Sequence, residues 1–254
     1  MKALATADLA GIMLEDSGHI QEADAVFVNK KRLKRGEPPV EPLYTQEDAA
    51  RVGQYFRAVP YNQPFAPVEG VTARLVEAGH ILGSAAIVLD IEEYRRKLRV
   101  WFSGDIGRLN LPLLRDPTLP EAADTLIMES TYGDKPHRDP ETAFQELREV
   151  VTRTVKRGGK VIIPAFAVGR TQELVYDLQK MIDGGDIPRI PVYVDSPLAV
   201  NASDIFRKHP ECFDQETIDF IRSGKHESVL GFGLLTYIRS VEESKALTGG
   251  KTPW

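Results

Sequence analysis

Residues 77–85 read Glu-Ala-Gly-His-Ile-Leu-Gly-Ser-Ala and separate two apolar segments of the chain. The segment before them, 71–77, alternates as a β-strand does, and the segment after them, 85–91, is a nearly continuous apolar run. The loop offers one metal-competent side chain, His80, and its glycines permit close approach of another backbone. The sequence therefore predicts a strand-loop-strand unit that presents His80 beside a β-sheet.

A second loop of the same kind follows the next strand. Residues 98–102 form a nearly continuous apolar run, and 103–107 then read Ser-Gly-Asp-Ile-Gly. The charged segment 92–97 suits a hairpin turn, which would return the chain and bring His80 and Asp105 to one sheet edge. Neutral imidazole and carboxylate are ligands that zinc takes beside an open position for water. The spacing alone equally allows a turn cap at His80 and an Asx-turn at Asp105.

Glu129 stands at the end of a further apolar strand predicted at 125–128. A carboxylate in this position can orient a metal-ligating histidine by accepting a hydrogen bond from its other ring nitrogen, or it can accept a proton. The alternative that the residues leave open is a simple cap and turn.

Alternating strands and helices define an α/β protein with two regions. Residues 1–124 are rich in strands, and residues 125–254 alternate strands with helices, as parallel sheets covered by helices do. The predicted helices cover 7–14, 23–34, 49–56, 140–155, 171–182, 199–208 and 215–222, and further strands are predicted at 160–163 and 191–194.

The composition excludes several classes of protein. In 254 residues, 42% are apolar and 27% are charged, which excludes wholesale disorder, and no apolar run is long enough to span a bilayer. The first twenty residues lack a signal-peptide core. The net charge of -5 excludes nucleic-acid binding by bulk charge. The single cysteine, Cys212, excludes a disulfide framework, so we expect a cytoplasmic protein without a membrane partner.

Two strand-to-helix junctions are weaker candidates for phosphate binding. Arg170 and Thr171 open a helix, and a helix N-terminus with a guanidinium and a hydroxyl can hold a phosphate. Ser196 precedes Pro197 at the next junction, where a helix cap explains it equally well. The remaining histidines outside the motifs are predicted to lie on the surface; they are His137, His209 and His226.

Three segments in order resemble the metallo-β-lactamase superfamily, and more narrowly its β-CASP branch of RNA-processing nucleases. They are 79–85, 103–107 and Glu-Ser-Thr-Tyr-Gly at 129–133. Further similar segments extend the resemblance over essentially the whole chain; they are 16–25, 164–173 and 195–199.

The resemblance implies a partial metallo-β-lactamase αββα sandwich at 1–124 and a partial inserted β-CASP α/β domain at 125–254. It implies that His80 is a zinc ligand and that Asp105 bridges two zinc ions in the complete site. It implies that Glu129 acts with Asp105 in catalysis and hydrogen-bonds a ligand-side histidine. Two zinc ions acidify a water for attack on a phosphodiester. The implied substrate is RNA, cut internally or from the 5′ end, and a homodimer is left open.

The chain departs from the family pattern in one respect that bears on activity. The principal motif, His-x-His-x-Asp-His, does not occur in these 254 residues. We therefore expect an internal fragment of a longer product that is inactive alone. Two alternatives remain open: a non-catalytic subunit that binds RNA or a partner nuclease, and a DNA nuclease of the same fold.

Overall fold

The structure, a computed structural model, describes residues 3–94, 96–223 and 229–249. Its largest element is a five-stranded sheet in which the strands lie in sequence order. The first four strands are antiparallel and β5 runs parallel to β4. The strands are β1 (Phe65–Val68), β2 (Val71–Glu77), β3 (Ala85–Glu93), β4 (Arg96–Phe102) and β5 (Thr125–Ile127).

Helices and a small second sheet complete the described residues. β6 (Val192–Asp195) and β7 (Leu235–Ile238) pair in parallel, so the predicted α/β class is confirmed. β7 was not predicted from the sequence. The helices are α1 (Leu4–Lys34), α2 (Gln46–Val52), α3 (Pro140–Lys156), α4 (Arg170–Gly184), α5 (Pro197–Lys208), α6 (Gln215–Arg222) and α7 (Val241–Gly249).

The N-terminal segment is one helix, and the prediction of two helices at 7–14 and 23–34 is wrong. The polar residues between them, which include Gly18, do not interrupt α1. A single glycine costs a helix only about 1 kcal/mol, which packing against a neighbouring element can offset. Gly18 lies against the start of α2, where an added β-carbon would stand 2.8 Å from the Gln46 Cα. The Tyr44 hydroxyl donates to the Ser17 Oγ at 2.6 Å, which fixes the same contact.

The buried strand predicted at 160–163 is also wrong. These residues form no regular element in the structure, and the Ile162 side chain is 88% exposed. An apolar run of this length predicts burial only when a neighbouring strand pairs with it, and the described residues place no strand beside it.

The core joins the two predicted regions. One cluster of buried residues packs Leu82 and Leu113 from the first region with Tyr176, Phe206 and Phe213 from the second. The five-stranded sheet also continues through β5, which lies beyond residue 124. The two regions therefore pack into each other around the loops that carry the candidate site. Within the described residues, no helix has both the length and the apolar character that crossing a bilayer requires.

Candidate metal-binding site

The loop that carries His80 connects β2 to β3 and is held from both ends. At its start, the Gly79 amide donates to the Glu77 carboxylate at 2.9 Å. At its end, the Ser84 Oγ accepts hydrogen bonds from the amides of His80 at 2.9 Å and Ile81 at 3.3 Å. The backbone around His80 is therefore fixed while its side chain stays 44% exposed.

The loop that carries Asp105 follows β4 and lies beside the His80 loop. β3 and β4 pair antiparallel, with Ile87 opposite Phe102, so the start of β3 and the end of β4 share one sheet edge. The Gly107 amide donates to the Ala78 carbonyl at 2.8 Å, which joins the two loops directly. The hairpin predicted from the sequence thus brings both loops together.

His80 and Asp105 form the centre of the candidate site. The Nε2 of His80 and the Oδ2 of Asp105 are 3.9 Å apart, and the Asp105 side chain is 75% exposed. Two ligands of one tetrahedral zinc ion, each about 2.1 Å from the metal, lie about 3.4 Å apart. A small side-chain adjustment would let the pair share an ion, and their exposure leaves room for water and further ligands. No group of three His, Cys, Asp or Glu side chains suited to a metal occurs among the residues that the structure describes.

Glu129 supports the Asp105 loop. Its Oε1 accepts a hydrogen bond from the Ile106 amide and its Oε2 accepts one from the Thr131 hydroxyl, both at 2.6 Å. The Ile106 amide is the main cause that lowers the pKa of the Glu129 carboxyl, and His80 adds a smaller electrostatic effect. The histidine hydrogen bond implied by the resemblance stays a prediction, and in the described residues these two donors hold the carboxylate. Glu129 therefore reaches the site through the backbone next to Asp105.

The start of α4 lies against the His80 loop. A β-carbon on Gly169 would stand 3.1 Å from the Ile81 side chain. The Arg170 guanidinium pairs with Glu173 at 2.8 Å and is still 57% exposed, so it can reach an additional anion. The Thr171 hydroxyl donates to the Phe166 carbonyl at 2.7 Å and is occupied in the turn.

Ser196 acts first as a helix cap. Its Oγ accepts the Ala199 amide at 3.2 Å at the start of α5, which is the structural interpretation that the sequence left open. The buried Gln172 side chain joins the starts of α4 and α5, because its amide nitrogen donates to the Ala199 carbonyl at 3.3 Å and to Ser203 at 3.0 Å. The two candidate phosphate positions therefore lie on helix ends that one buried side chain connects.

The histidines outside the site have different surroundings. His137 is exposed, as predicted, and His226 lies outside the described residues. The surface prediction for His209 is wrong, because the residue is only 9% exposed. Its Nδ1 lies 2.6 Å from Glu211 and its Nε2 lies 3.0 Å from Asp8 of α1. No local sequence signal connects His209 to a residue so distant in the chain.

Comparison with known proteins supports the same class. Residues 171–253 match the family model of the Beta-Casp domain. Ribonuclease TTHA0252 of Thermus thermophilus is 33% identical over 213 residues, which are 84% of this chain and 47% of the relative. An RNase J-like protein of Methanocaldococcus jannaschii is 33% identical over 171 residues, 65% of this chain and 39% of that protein. Endoribonuclease YSH1 of Eremothecium gossypii is 29% identical over 213 residues, 80% of this chain and 26% of that protein.

The matches, with the fold and the paired loops, confirm the resemblance to the metallo-β-lactamase superfamily. Within it the chain is of the β-CASP type and is related to RNA-processing nucleases. The chain spans less than half of the length of these three relatives.

Proposed function

We propose that the chain contributes to a zinc-dependent hydrolase that cleaves RNA phosphodiester bonds in the cytoplasm, internally, from the 5′ end, or both. The observation that carries this proposal is the pair of His80 and Asp105, 3.9 Å apart on two loops joined at one sheet edge. The relatives named as ribonucleases support RNA as the substrate.

In this proposal, His80 and Asp105 would each supply a ligand to bound zinc. Glu129 keeps the Asp105 loop in place through the Ile106 amide. The chemistry that zinc supplies when bound is a water acidified enough to attack a phosphodiester at neutral pH. Arg170, exposed beside the His80 loop, offers a guanidinium to the phosphate backbone of the RNA.

Two protein ligands are fewer than the three that a catalytic zinc ion normally takes. The remaining ligands must then come from outside the described residues, through other parts of a longer product or through a second copy of the chain. We therefore expect the 254-residue polypeptide alone to bind zinc weakly and to leave RNA uncut.

The first experiment measures zinc per chain by elemental analysis after the purified polypeptide has been equilibrated with zinc and dialysed. We expect well under one equivalent, and weak binding that His80→Ala and Asp105→Ala abolish. His137→Ala, which removes an exposed histidine, is the matched control and should leave that binding unchanged. If near two equivalents are retained, the site is complete and the expected inactivity is wrong.

The activity itself is tested on the protein in the form that its source cells make. With an end-labelled single-stranded RNA, Asp105→Asn should lower the cleavage rate by about a thousandfold or more, because it removes a charged ligand, whereas His137→Ala should not. Cleavage that survives Asp105→Asn would refute the assignment. RNA binding without cleavage in the unsubstituted protein would instead support a non-catalytic subunit, and cleavage of DNA but not RNA would support a DNA nuclease.

A further inference from the structure

Beneath the His80 loop lies a buried carboxyl group that is only half satisfied. Glu77 ends β2 and is 8% exposed. Its Oε1 accepts the Gly79 amide, but its Oε2 has no hydrogen-bond partner among the residues that the structure describes. Buried polar atoms without a partner are rare in native proteins, so this oxygen requires an explanation.

Tyr61 connects Glu77 to the far end of the loop. Its hydroxyl donates to the Ser84 carbonyl at 2.8 Å. The same hydroxyl acts on the Glu77 carboxyl and lowers its pKa, although it makes no hydrogen bond to Oε2 in this structure. A tyrosine hydroxyl has one proton to donate. Because Ser84 takes that proton, the Tyr61 oxygen can only accept from Glu77, and a carboxyl group donates only when it is protonated.

The surroundings of Glu77 favour the protonated form near neutral pH. Burial raises the pKa of Glu77 to about 7, against the opposing effects of the Gly79 amide, Arg115 and Tyr61. Arg115 is partly committed elsewhere, since its Nε donates to the Phe213 carbonyl at 3.2 Å. Cys212, which also faces this cluster, stays a neutral thiol because burial raises its pKa to about 12. Burial likewise raises the pKa of Tyr61, which therefore keeps its proton.

We propose that Glu77 and Tyr61 are positioning residues that brace the His80 loop in a protonation-dependent way. A small rotation of the protonated Glu77 side chain lets it donate to Tyr61, Tyr61 donates to Ser84, and the loop is held at both ends. When Glu77 loses its proton to solvent, Tyr61 turns its own proton to the carboxylate, and the Ser84 carbonyl is released from Tyr61 and keeps only the hydrogen bond from the Ala78 amide at 3.3 Å. Ser84 carries the hydroxyl that accepts the His80 amide, so the release loosens the backbone beside the proposed ligand.

The inference rests on the proposed function only in taking His80 as a metal ligand. The brace itself is measurable without metal or RNA, by amide hydrogen exchange of residues 78–84 in the full chain. Exchange rates are corrected for the intrinsic dependence on pH and compared between pH 6 and pH 8.5. The two pH values lie at least one unit below and above the pKa of Glu77, which is about 7. In the unsubstituted protein we expect the protection of the amides of Ala78, His80 and Ser84 to fall by roughly tenfold between them.

Two variants separate the brace from general stability. In Glu77→Gln the side-chain amide donates to Tyr61 at every pH, so protection should stay high from pH 6 to pH 8.5. In Tyr61→Phe the donor to Ser84 is missing, so protection should be low at both pH values. Tyr55→Phe, at a tyrosine that is 74% exposed, is the matched control and should behave as the unsubstituted protein does.

The proposal is overturned if loop protection in the unsubstituted protein does not change with pH, or if Glu77→Gln shows the same change. Its failure is distinct from failure of the proposed function. A pH-dependent brace combined with zinc binding that ignores His80→Ala would keep the brace and reject the metal assignment. Loop protection that does not change with pH, combined with zinc binding that depends on His80, would reject the brace and keep the metal assignment.

Discussion

Gly107 packs directly on the carbonyl of Gly79, and an added β-carbon at Gly107 would overlap that carbonyl. The two loops that carry His80 and Asp105 therefore touch through a pair of glycines. The Gly107 amide reinforces the contact by donating to the Ala78 carbonyl. The separation of the two proposed ligands depends on this close backbone approach.

Gly107→Ala should therefore destabilise the protein by about 2–3 kcal/mol, because the loops must move apart to admit the methyl group. The free energy of unfolding in urea measures the effect. Gly11→Ala is the control, since its β-carbon would meet nothing within 4 Å on α1 and the better helix propensity should stabilise the protein by up to about 1 kcal/mol. Equal stability of the two variants would contradict the proposed role of the glycine contact.

Glu129→Gln tests the carboxylate that holds the Asp105 loop. The Ile106 and Thr131 hydrogen bonds lower the pKa of Glu129, so its stabilising effect is present above the ordinary value near 4.5 and is lost as the pH falls through the lowered value. The residue is half-buried, so we expect the variant to lose only about 1 kcal/mol at pH 7. We also expect the difference from the unsubstituted protein to shrink below pH 4.

Unfolding curves at pH 3.5, 5 and 7 measure this difference. Glu149→Gln, at an exposed position of α3, is the control and should change stability by less than about 0.5 kcal/mol. A difference for Glu129→Gln that is constant over this range would show that the charge of Glu129 does not act on the loop.

The sequence predicted elements whose signals are local. The alternation of 71–77 and the charged turn at 92–97 predicted the hairpin of β2, β3 and β4. The continuous α1 was missed because its middle is stabilised by contact with α2 at Gly18, which lies far from α2 in sequence. The error at 160–163 has the same origin, since pairing decides whether a short apolar run forms a strand.

In the candidate site, too, the placement of the residues could be predicted from local signals, whereas the contacts that hold them could not. His80, Asp105 and Glu129 could be predicted to lie together because each directly follows a strand of one sheet. The contacts that hold them could not be predicted, because Tyr61 reaches Ser84 from before β1 and Gly107 meets Ala78 across two loops. Their metal role stays a prediction.

His209 should stabilise the protein in a pH-dependent way. Its ring lies between the carboxylates of Asp8 and Glu211, and these partners raise its pKa although burial opposes them. Their contribution is fully present below the ordinary value near 6.5 and is lost as the pH rises through the raised value. His209→Leu should lose about 1–2 kcal/mol at pH 6 and less at pH 9, because it leaves two carboxylates without their partner.

The measurement is the free energy of unfolding at both pH values. His19→Ala, which removes an exposed histidine on α1, is the control and should show little change at either pH. If His209→Leu costs the same at pH 6 and pH 9, the ring contributes by packing and the charged contacts contribute nothing.

Glu77→Gln should raise the stability of the protein at alkaline pH. Burial raises the pKa of Glu77 from 4.5 to about 7, so the folded state favours the protonated form. The stability that this proton provides is complete below pH 4.5, declines as the pH rises toward 7 and is absent above it. One pKa unit corresponds to about 1.4 kcal/mol, so the decline is on the order of 3 kcal/mol.

Glutamine keeps the acceptor for the Gly79 amide and cannot ionise, so the variant should match the unsubstituted protein at pH 4.5 and exceed it by roughly 1–3 kcal/mol at pH 8. Unfolding in urea at both pH values gives the difference, which removes the contribution of every other titrating group. Glu69→Gln, at an exposed turn before β2, serves as the control and should give no such difference. If Glu77→Gln is instead equally destabilised at both pH values, the prediction is wrong. That result would show that Glu77 is ionised and well paired in the folded protein at both pH values, so that the substitution removes a favourable charge.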